Sequence, residues 1–402
     1  PRAYSIADSY RRRGVNVVMG GIHPTVLCRE ALMHADAVVV GEAETMWPKL
    51  VSDFASGRLE RVYCATRPSG LRNLPKPRWD LYPTAVFKGR TPISSAVMTS
   101  RGCPYDCEFC SIHQVFGHRY RTRPISEVLA EVESIESSFL FFVDDSLGMN
   151  RPAAKRLFNE MIPLRKVWAG QGTVSLAEDL ELLRAMRRSG CLGLLIGFES
   201  VQQEAREGMR KTKNLRFDFF EAMRRFHGEG LMILGAFIFG FDHESRDVFD
   251  ETLEFIMRCR MDCVSLRILT PFPGTRLYAR LLNEGRLFSP DWWLHGYPPD
   301  TLLYQPRGMT PEELLDGFAR LNKQTYSFRA IGKRFFGIRP WKRTAMDCQV
   351  YAAFNLATRR RYLTGLRIPQ PFVEASGRQG FAVDESPRES AVPEARHEFL
   401  YN

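Results

Sequence analysis

The chain has 402 residues, 44% of them hydrophobic, and a formal charge of +10 from 56 basic and 46 acidic residues. That length suits two or three domains around a sizeable core, and no run of about 18 apolar residues marks a membrane span. Arg and Lys are scattered, with short runs at Arg11–Arg13 and Arg359–Arg361 and no aromatic–basic RNA module, so charge alone assigns no partner.

Nine cysteines in a chain this long do not read as a disulfide framework. Three lie within eight residues and six are scattered, which fits a reducing cytoplasm and one thiolate-rich site. The sequence opens on Pro1 in the middle of a pattern, without the charged start and apolar stretch of a signal peptide, and reads as N-terminally truncated.

Residues 1–60 read as the tail of a small α/β domain. Ile6–Arg13 is a short amphipathic helix ended by Gly14, and Val15–Met19 is an apolar run of strand length leading to Gly20-Gly21. A helix at Glu30–His34, a buried strand at Ala37–Val40 ending at Gly41, and a helix over about Thr45–Phe54 complete it. Strands alternating with helices predict a parallel sheet. Residues 61–93 form a linker, with Pro68, Pro75, Pro77, Pro83 and Pro92 precluding regular structure over most of it.

From residue 94 to 285 the pattern is strand–helix, repeated six times. Strands are expected at Ala96–Ser100, Phe139–Val143, Val167–Val174, Leu192–Gly197, Met232–Phe239 and Val264–Leu269. Helices are expected at Ser126–Ser134, Ala153–Leu164, Ala177–Arg188, Phe217–His227 and Ser245–Cys259. Six such units predict a partial (βα)6 barrel of TIM-like type, with all strand C-termini on one face. Residues 286–368 read as a helical C-terminal region. Thr310, Pro311 and Glu312-Glu313 start one helix, and Trp341–Leu363 forms another. Residues 369–402 are polar, rich in Pro, Ser, Glu and Arg, and read as a disordered tail.

Directly after the first barrel strand comes Arg101-Gly102-Cys103-Pro104-Tyr105-Asp106-Cys107-Glu108-Phe109-Cys110, a C-x3-C-x2-C spacing. A short loop can wrap three thiolates around one face of a cubane, leaving one iron without a protein ligand. Such an open position is what a metal needs to bind substrate. Two alternatives remain at this stage: structural zinc with His113 or His118 as fourth ligand, and an electron-transfer cluster with a distant fourth cysteine.

This spacing, with Phe109 before the last cysteine, resembles the signature of the radical S-adenosylmethionine (SAM) superfamily. The resemblance implies a [4Fe–4S] cluster on Cys103, Cys107 and Cys110, with SAM chelating the open iron. It also implies SAM contacts at the strand ends. After strand two come Asp144, Asp145 and Ser146, where acidic groups suit the SAM ammonium; otherwise Asp145 or Ser146 caps the next helix. After strand four, Gly197-Phe198-Glu199-Ser200 resembles a Gly-x-Glu-Ser motif of cobalamin-linked members, as does the following Met209-Arg210-Lys211. Glu199 would accept from ribose hydroxyls; otherwise Ser200 is a helix cap. Strand five ends at Gly240, where the family packs on adenine, though Phe237 and Phe239 suit a packed core equally well. After strand six, Pro271-Phe272-Pro273-Gly274-Thr275 resembles the family's Pro-x-Pro-Gly-Thr loop.

Gly20-Gly21-Ile22-His23-Pro24-Thr25 and Gly41-Glu42-Ala43-Glu44 resemble the end of a cobalamin-binding, Rossmann-like domain. Gly20, Gly21, His23, Gly41 and Glu42 are the implied cobalamin contacts; His23 also reads as a partly buried loop histidine. The stretch from Asp291-Trp292-Trp293 through Met309-Thr310-Pro311 is similar to that of hopanoid methylase-type members and is expected on the substrate side. There Trp292, Trp293, His295 and Tyr297 line a pocket or pack the barrel end.

The resemblance implies reductive cleavage of SAM to methionine and a 5′-deoxyadenosyl radical, feeding cobalamin-dependent methylation of an unactivated carbon. A non-methylating cyclase, oxidase or rearrangement enzyme of lipid or tetrapyrrole metabolism is the alternative, and a non-catalytic iron–sulfur or zinc module a third. Expected partners are a small-molecule substrate and a reducing partner such as flavodoxin or ferredoxin, with no nucleic acid. A lipid substrate would add contact with a membrane surface.

Overall fold

A computed structural model describes residues 1–65, 68, 70–81, 95–210, 217–298, 300–337 and 344–363. Lys211, Pro83, Pro92, the start of the helix expected at Trp341, and the tail from 369 lie outside the described residues.

The N-terminal unit is a parallel sheet of β1 (Val18–Met19), β2 (Ala37–Val40) and β3 (Val62–Cys64), in that order. Its β2 reads Ala-Val-Val-Val, small and β-branched residues that fit a sheet buried on both faces. Ala31, Ala35 and Val38 form a core with Tyr4 on one side, and Ala37, Val39, Leu50 and Tyr63 on the other. Strand β3 lies beyond residue 60, so the sheet takes in residues expected in the linker. No sequence signal marked it, because three residues are too few to show a period.

The larger unit is a six-stranded, wholly parallel sheet. Its strands run β4 (Ser95–Val97), β7 (Phe139–Phe142), β8 (Val167–Gly172), β9 (Cys191–Glu199), β10 (Met232–Phe239) and β11 (Cys263–Ile268), in sequence order. Helices Ile125–Ser134, Arg151–Met161, Leu180–Arg188, Phe219–Gly228 and Val248–Cys259 connect them, each within a few residues of the expected bounds. A short antiparallel pair, β5 (Ser100–Arg101) with β6 (Arg121–Thr122), brackets the cysteine loop.

Each central strand has two unlike faces. In β10, Ile233, Phe237 and Phe239 are fully buried. Phe237 stacks with Phe198 and meets Phe255 edge-on, while Phe239 stacks on Phe249. These phenylalanines therefore belong to the helix-covered core rather than to an adenine site. Their neighbours Leu234, Ala236 and Ile238 face the inside of the partial barrel and are only partly buried. On the same side, Gln171 of β8 and Arg267 of β11 are exposed.

The C-terminal region does not lie wholly on the substrate side. Helix Pro311–Thr325 begins with the expected capping box of Thr310 and Glu313 and lays Gly317 against the Phe249 ring. Helices Phe328–Gly337 and Ala345–Leu363 pack Ile331, Phe335, Val350, Tyr351 and Phe354 against Phe139, Val167, Met232 and Cys263. Those four residues begin their strands, so this helix pair plugs the N-terminal mouth of the barrel. The stretch around Trp292 and Trp293, together with Tyr304, reaches the opposite face.

Candidate active site at the cysteine loop

Cys103, Cys107 and Cys110 are partly exposed, in the loop after β5 at the C-terminal end of the sheet. The loop is pinned at every turn. At Gly102 φ is +85°, and a Cβ there would lie 2.4 Å from the Arg119 carbonyl oxygen, so only glycine fits. The Gly102 N–H donates to Asp145 Oδ2 at 2.9 Å. Cys110 N–H donates to the Cys107 carbonyl at 3.2 Å, closing a tight turn between two of the thiols. The Glu108 N–H donates to the Met209 carbonyl, and the Glu108 carbonyl accepts from Leu277. Phe109 packs edge-on against Phe241, one residue past Gly240. His113 Nε2 lies 3.1 Å from the Cys103 carbonyl oxygen.

The donor set fits an iron–sulfur cluster. The loop's carboxylates are engaged elsewhere, Asp106 by Arg276 and Arg210 and Glu108 by Arg280, which leaves the three thiols as soft ligands. Asp106, His113 and His118 do bring one ligand atom each within 4.8 Å. Two guanidinium groups on Asp106 disfavour a dication there.

The other predicted positions lie at the ends of the following barrel strands. Asp144 is buried and accepts from the Thr99 N–H and hydroxyl and from the Ser100 hydroxyl. Burial raises its pKa against those hydrogen bonds. Asp145, also raised by burial, holds Gly102. Neither caps the next helix: that cap is Asn150, whose side chain accepts from Ala153 N–H. Ser146 Oγ is buried without a hydrogen-bond partner among the described residues.

Glu199 ends β9 with φ +63°, opposite a register shift at Ala236/Phe237. A bulge with a left-handed non-glycine residue re-aims a side chain and stores strain, a combination that gathers at functional sites. Ser200 is buried, and the cap of the following helix is Gln202 rather than Ser200. At the end of β10 the Gly240 N–H donates to Glu244 at 2.7 Å, and its carbonyl accepts from Tyr304 at 2.6 Å. Burial pushes Glu244 up to about 7. The sequence reading missed Glu244 because its carboxylate serves a turn four residues away. Pro271 and Pro273 are buried, and the Pro271 carbonyl accepts from the Trp292 indole at 3.0 Å.

The N-terminal unit meets the same face. At Gly274 an added Cβ would lie 2.5 Å from Val26, so the loop after β11 touches the helix that starts just after Gly21. Gly21 and Gly41 have nothing within 4 Å of where a side chain would begin, leaving their backbone open to a ligand. Gly20 follows β1, and a side chain there would meet Val39 at van der Waals distance. His23 is tied to Glu30 at 2.9 Å, and Glu30 also accepts from Tyr4 and from the Trp293 indole. Glu30, unmarked by any motif, thereby joins the C-terminal stretch to the small unit. Glu42 is buried between Arg121 and Arg101, and Arg101 also pairs with Glu44.

Residues 97–256 match the model of the radical SAM superfamily. Bacteriochlorophyllide d C-12(1)-methyltransferase of Chlorobaculum tepidum is 30% identical over 341 residues, covering 83% of this chain and 74% of that protein. Hopanoid C-2 methylase of Rhodopseudomonas palustris is 26% identical, over 68% of this chain and 54% of its own length. Among solved structures, the radical SAM methyltransferase TsrM of Kitasatospora setae, with cobalamin and a [4Fe–4S] cluster bound, superposes with a TM-score of 0.65 at 15% identity. That superposition covers 90% of this chain and 84% of TsrM. With its three-cysteine loop at the C-terminal end of a partial parallel barrel and a 30% identical relative spanning most of both proteins, the chain belongs to the radical SAM superfamily.

Proposed function

We propose that the protein is a cobalamin-dependent radical SAM methyltransferase acting on an unactivated carbon of a sizeable small molecule. The observation that carries this reading is the meeting of two loops. The cysteine loop on one unit and the open Gly20-Gly21 and Gly41 turns on the other are joined by Arg101 and Arg121 through Glu42 and Glu44. Cys103, Cys107 and Cys110 would hold the superfamily's [4Fe–4S] cluster, which would supply the electron for reductive cleavage of SAM. Gly20, Gly21, His23 and Gly41 would hold cobalamin, which would supply the methyl group for transfer.

The chain's own residues orient and enclose these groups. Asp145 fixes the cysteine loop through Gly102. Ser146 offers a buried hydroxyl to SAM, and strained Glu199 offers a carboxylate to its ribose. The Pro271–Pro273 loop and Gly240 close the adenine end. Gly20, Gly21, His23 and Gly41 face the cobalamin, with Glu42 holding that wall against the barrel. Edge strands β4 and β11 do not pair with each other, so the barrel opens sideways for a large substrate. A flavodoxin or ferredoxin of the cytoplasm supplies the electron.

The test uses SAM with a deuterated methyl group, anaerobically reconstituted enzyme and added cobalamin. The expected result is cobalamin retained on gel filtration and a product carrying the labelled methyl group. Cleavage of SAM with an unlabelled product would instead indicate a cyclase or oxidase.

A further inference from the structure

The net charge of the chain is concentrated in one stretch of the sequence. Residues 328–363 contain nine basic residues and one acid, Asp347. The Asp347 side chain is 1% exposed and pairs with Arg187, so it offers nothing to the outer surface. This segment contributes most of the chain's net charge of +10.

The same segment exposes apolar side chains. Phe336 is 81% exposed, Phe328 66%, Leu356 49% and Met346 45%. Arg329, Lys333, Arg360 and Arg361 are exposed among them. Arg359 lies over the Phe328 ring at 4.0 Å, which ties the two helices together at the surface. Beneath, the platform is rigid. Arg334 is fully buried and donates to the Met261 and Thr325 carbonyls and to Asn355, while Tyr351 donates to the Ile331 carbonyl. The exposed phenylalanines therefore stand on a fixed surface.

We propose that the outward faces of helices Phe328–Gly337 and Ala345–Leu363 bind an anionic lipid surface. Cations draw such a face to acidic headgroups, and phenylalanine, leucine and methionine insert at the acyl boundary. A nucleic acid would use the cations but leaves Leu356 and Met346 without a role, so the lipid surface fits the patch better. The patch lies at the N-terminal mouth of the barrel, opposite the cysteine loop. Docking there leaves the reactive face free for a substrate arriving from solution or a carrier.

The test is co-sedimentation of the full chain with vesicles of equimolar phosphatidylcholine and phosphatidylglycerol, with phosphatidylcholine vesicles as the comparison. The expected result is binding to the anionic vesicles that falls steeply with salt, and little binding to the neutral ones. Lys333→Gln with Arg360→Gln should weaken binding about 25-fold, at about 1 kcal/mol per cation. Phe336→Ser with Leu356→Ser should weaken binding while preserving its salt dependence. These positions are exposed, so each variant should retain the wild-type melting temperature and reconstituted cluster spectrum. Wild-type binding indifferent to lipid charge and salt would overturn the proposal without recourse to any variant. So would unlabelled single-stranded RNA that displaces the protein from anionic vesicles at lower concentration than phosphatidylglycerol.

Discussion

Arg101 Nη2 lies 2.5 Å from Glu44 Oε1, joining the residue two places before Cys103 to the loop that follows β2 of the N-terminal unit. Arg121, on the strand paired with Arg101, holds Glu42 of the same loop. The cysteine loop and the small unit are thus positioned by one ion-pair group, in which the Glu42 side chain is 1% exposed. Breaking a buried pair strands the remaining charges, at about 3–5 kcal/mol. Glu42→Ala should therefore lower the denaturant midpoint markedly. Because these residues share partners, Glu42→Gln with Arg121→Gln should cost less than the sum of the single changes. Equilibrium urea unfolding of the five proteins checks both statements.

Gly102 is a second point of control. Gly102→Ala places a methyl group against the Arg119 carbonyl in a left-handed backbone, which costs about 1–3 kcal/mol locally. The nearby fold should survive, because the strain falls on a loop rather than on the helix-covered core. Iron bound per chain after anaerobic reconstitution should drop below that of the wild type while the far-ultraviolet circular dichroism stays unchanged.

Glu244 should leave a pH signature. Burial lifts its folded-state pKa from the ordinary 4.5 to about 7, against hydrogen bonds from Gly240 and Phe241. The protonated form is the one the fold prefers. Its contribution is complete below about 4.5, declines above that, and is lost as pH rises through about 7. Glu244→Gln keeps an acceptor for Gly240 and does not ionise. Melting curves from pH 5 to 8 should show the Gln variant gaining on the wild type as pH rises, by about 3 kcal/mol at most.

The Trp293 indole bond to Glu30 predicts a third coupling. Trp293→Phe removes one donor to Glu30 while keeping an aromatic ring near His23 and Tyr278. A loss of about 1 kcal/mol is expected, since Glu30 retains its bonds from Tyr4 and His23. A thermal melt of the variant against the wild type checks it.

Much of this arrangement was legible in the sequence because it rests on local pattern. The six barrel strands are apolar runs such as Met232–Phe239, and the cysteine spacing sits within eight residues. What escaped was set by distant partners. Glu30 draws its meaning from Trp293, 263 residues away, and Glu42 from Arg121. Phe237 and Phe239 could be assigned to the core only once the helix-facing side of β10 was known. The plug formed by Tyr351 and Phe335 also had no signature, since a helix does not declare which end of a barrel it covers.

Three thiolates holding a cluster that cleaves SAM are the centre of the proposed chemistry. Its most direct test is 5′-deoxyadenosine measured by liquid chromatography and mass spectrometry, after anaerobic reconstitution and reduction with dithionite in the presence of SAM. A brown wild-type protein with about four irons per chain should form it. Cys107→Ala, equally folded by circular dichroism, should form none. A colourless, zinc-loaded wild type, or 5′-deoxyadenosine formed equally by both proteins, would contradict the account.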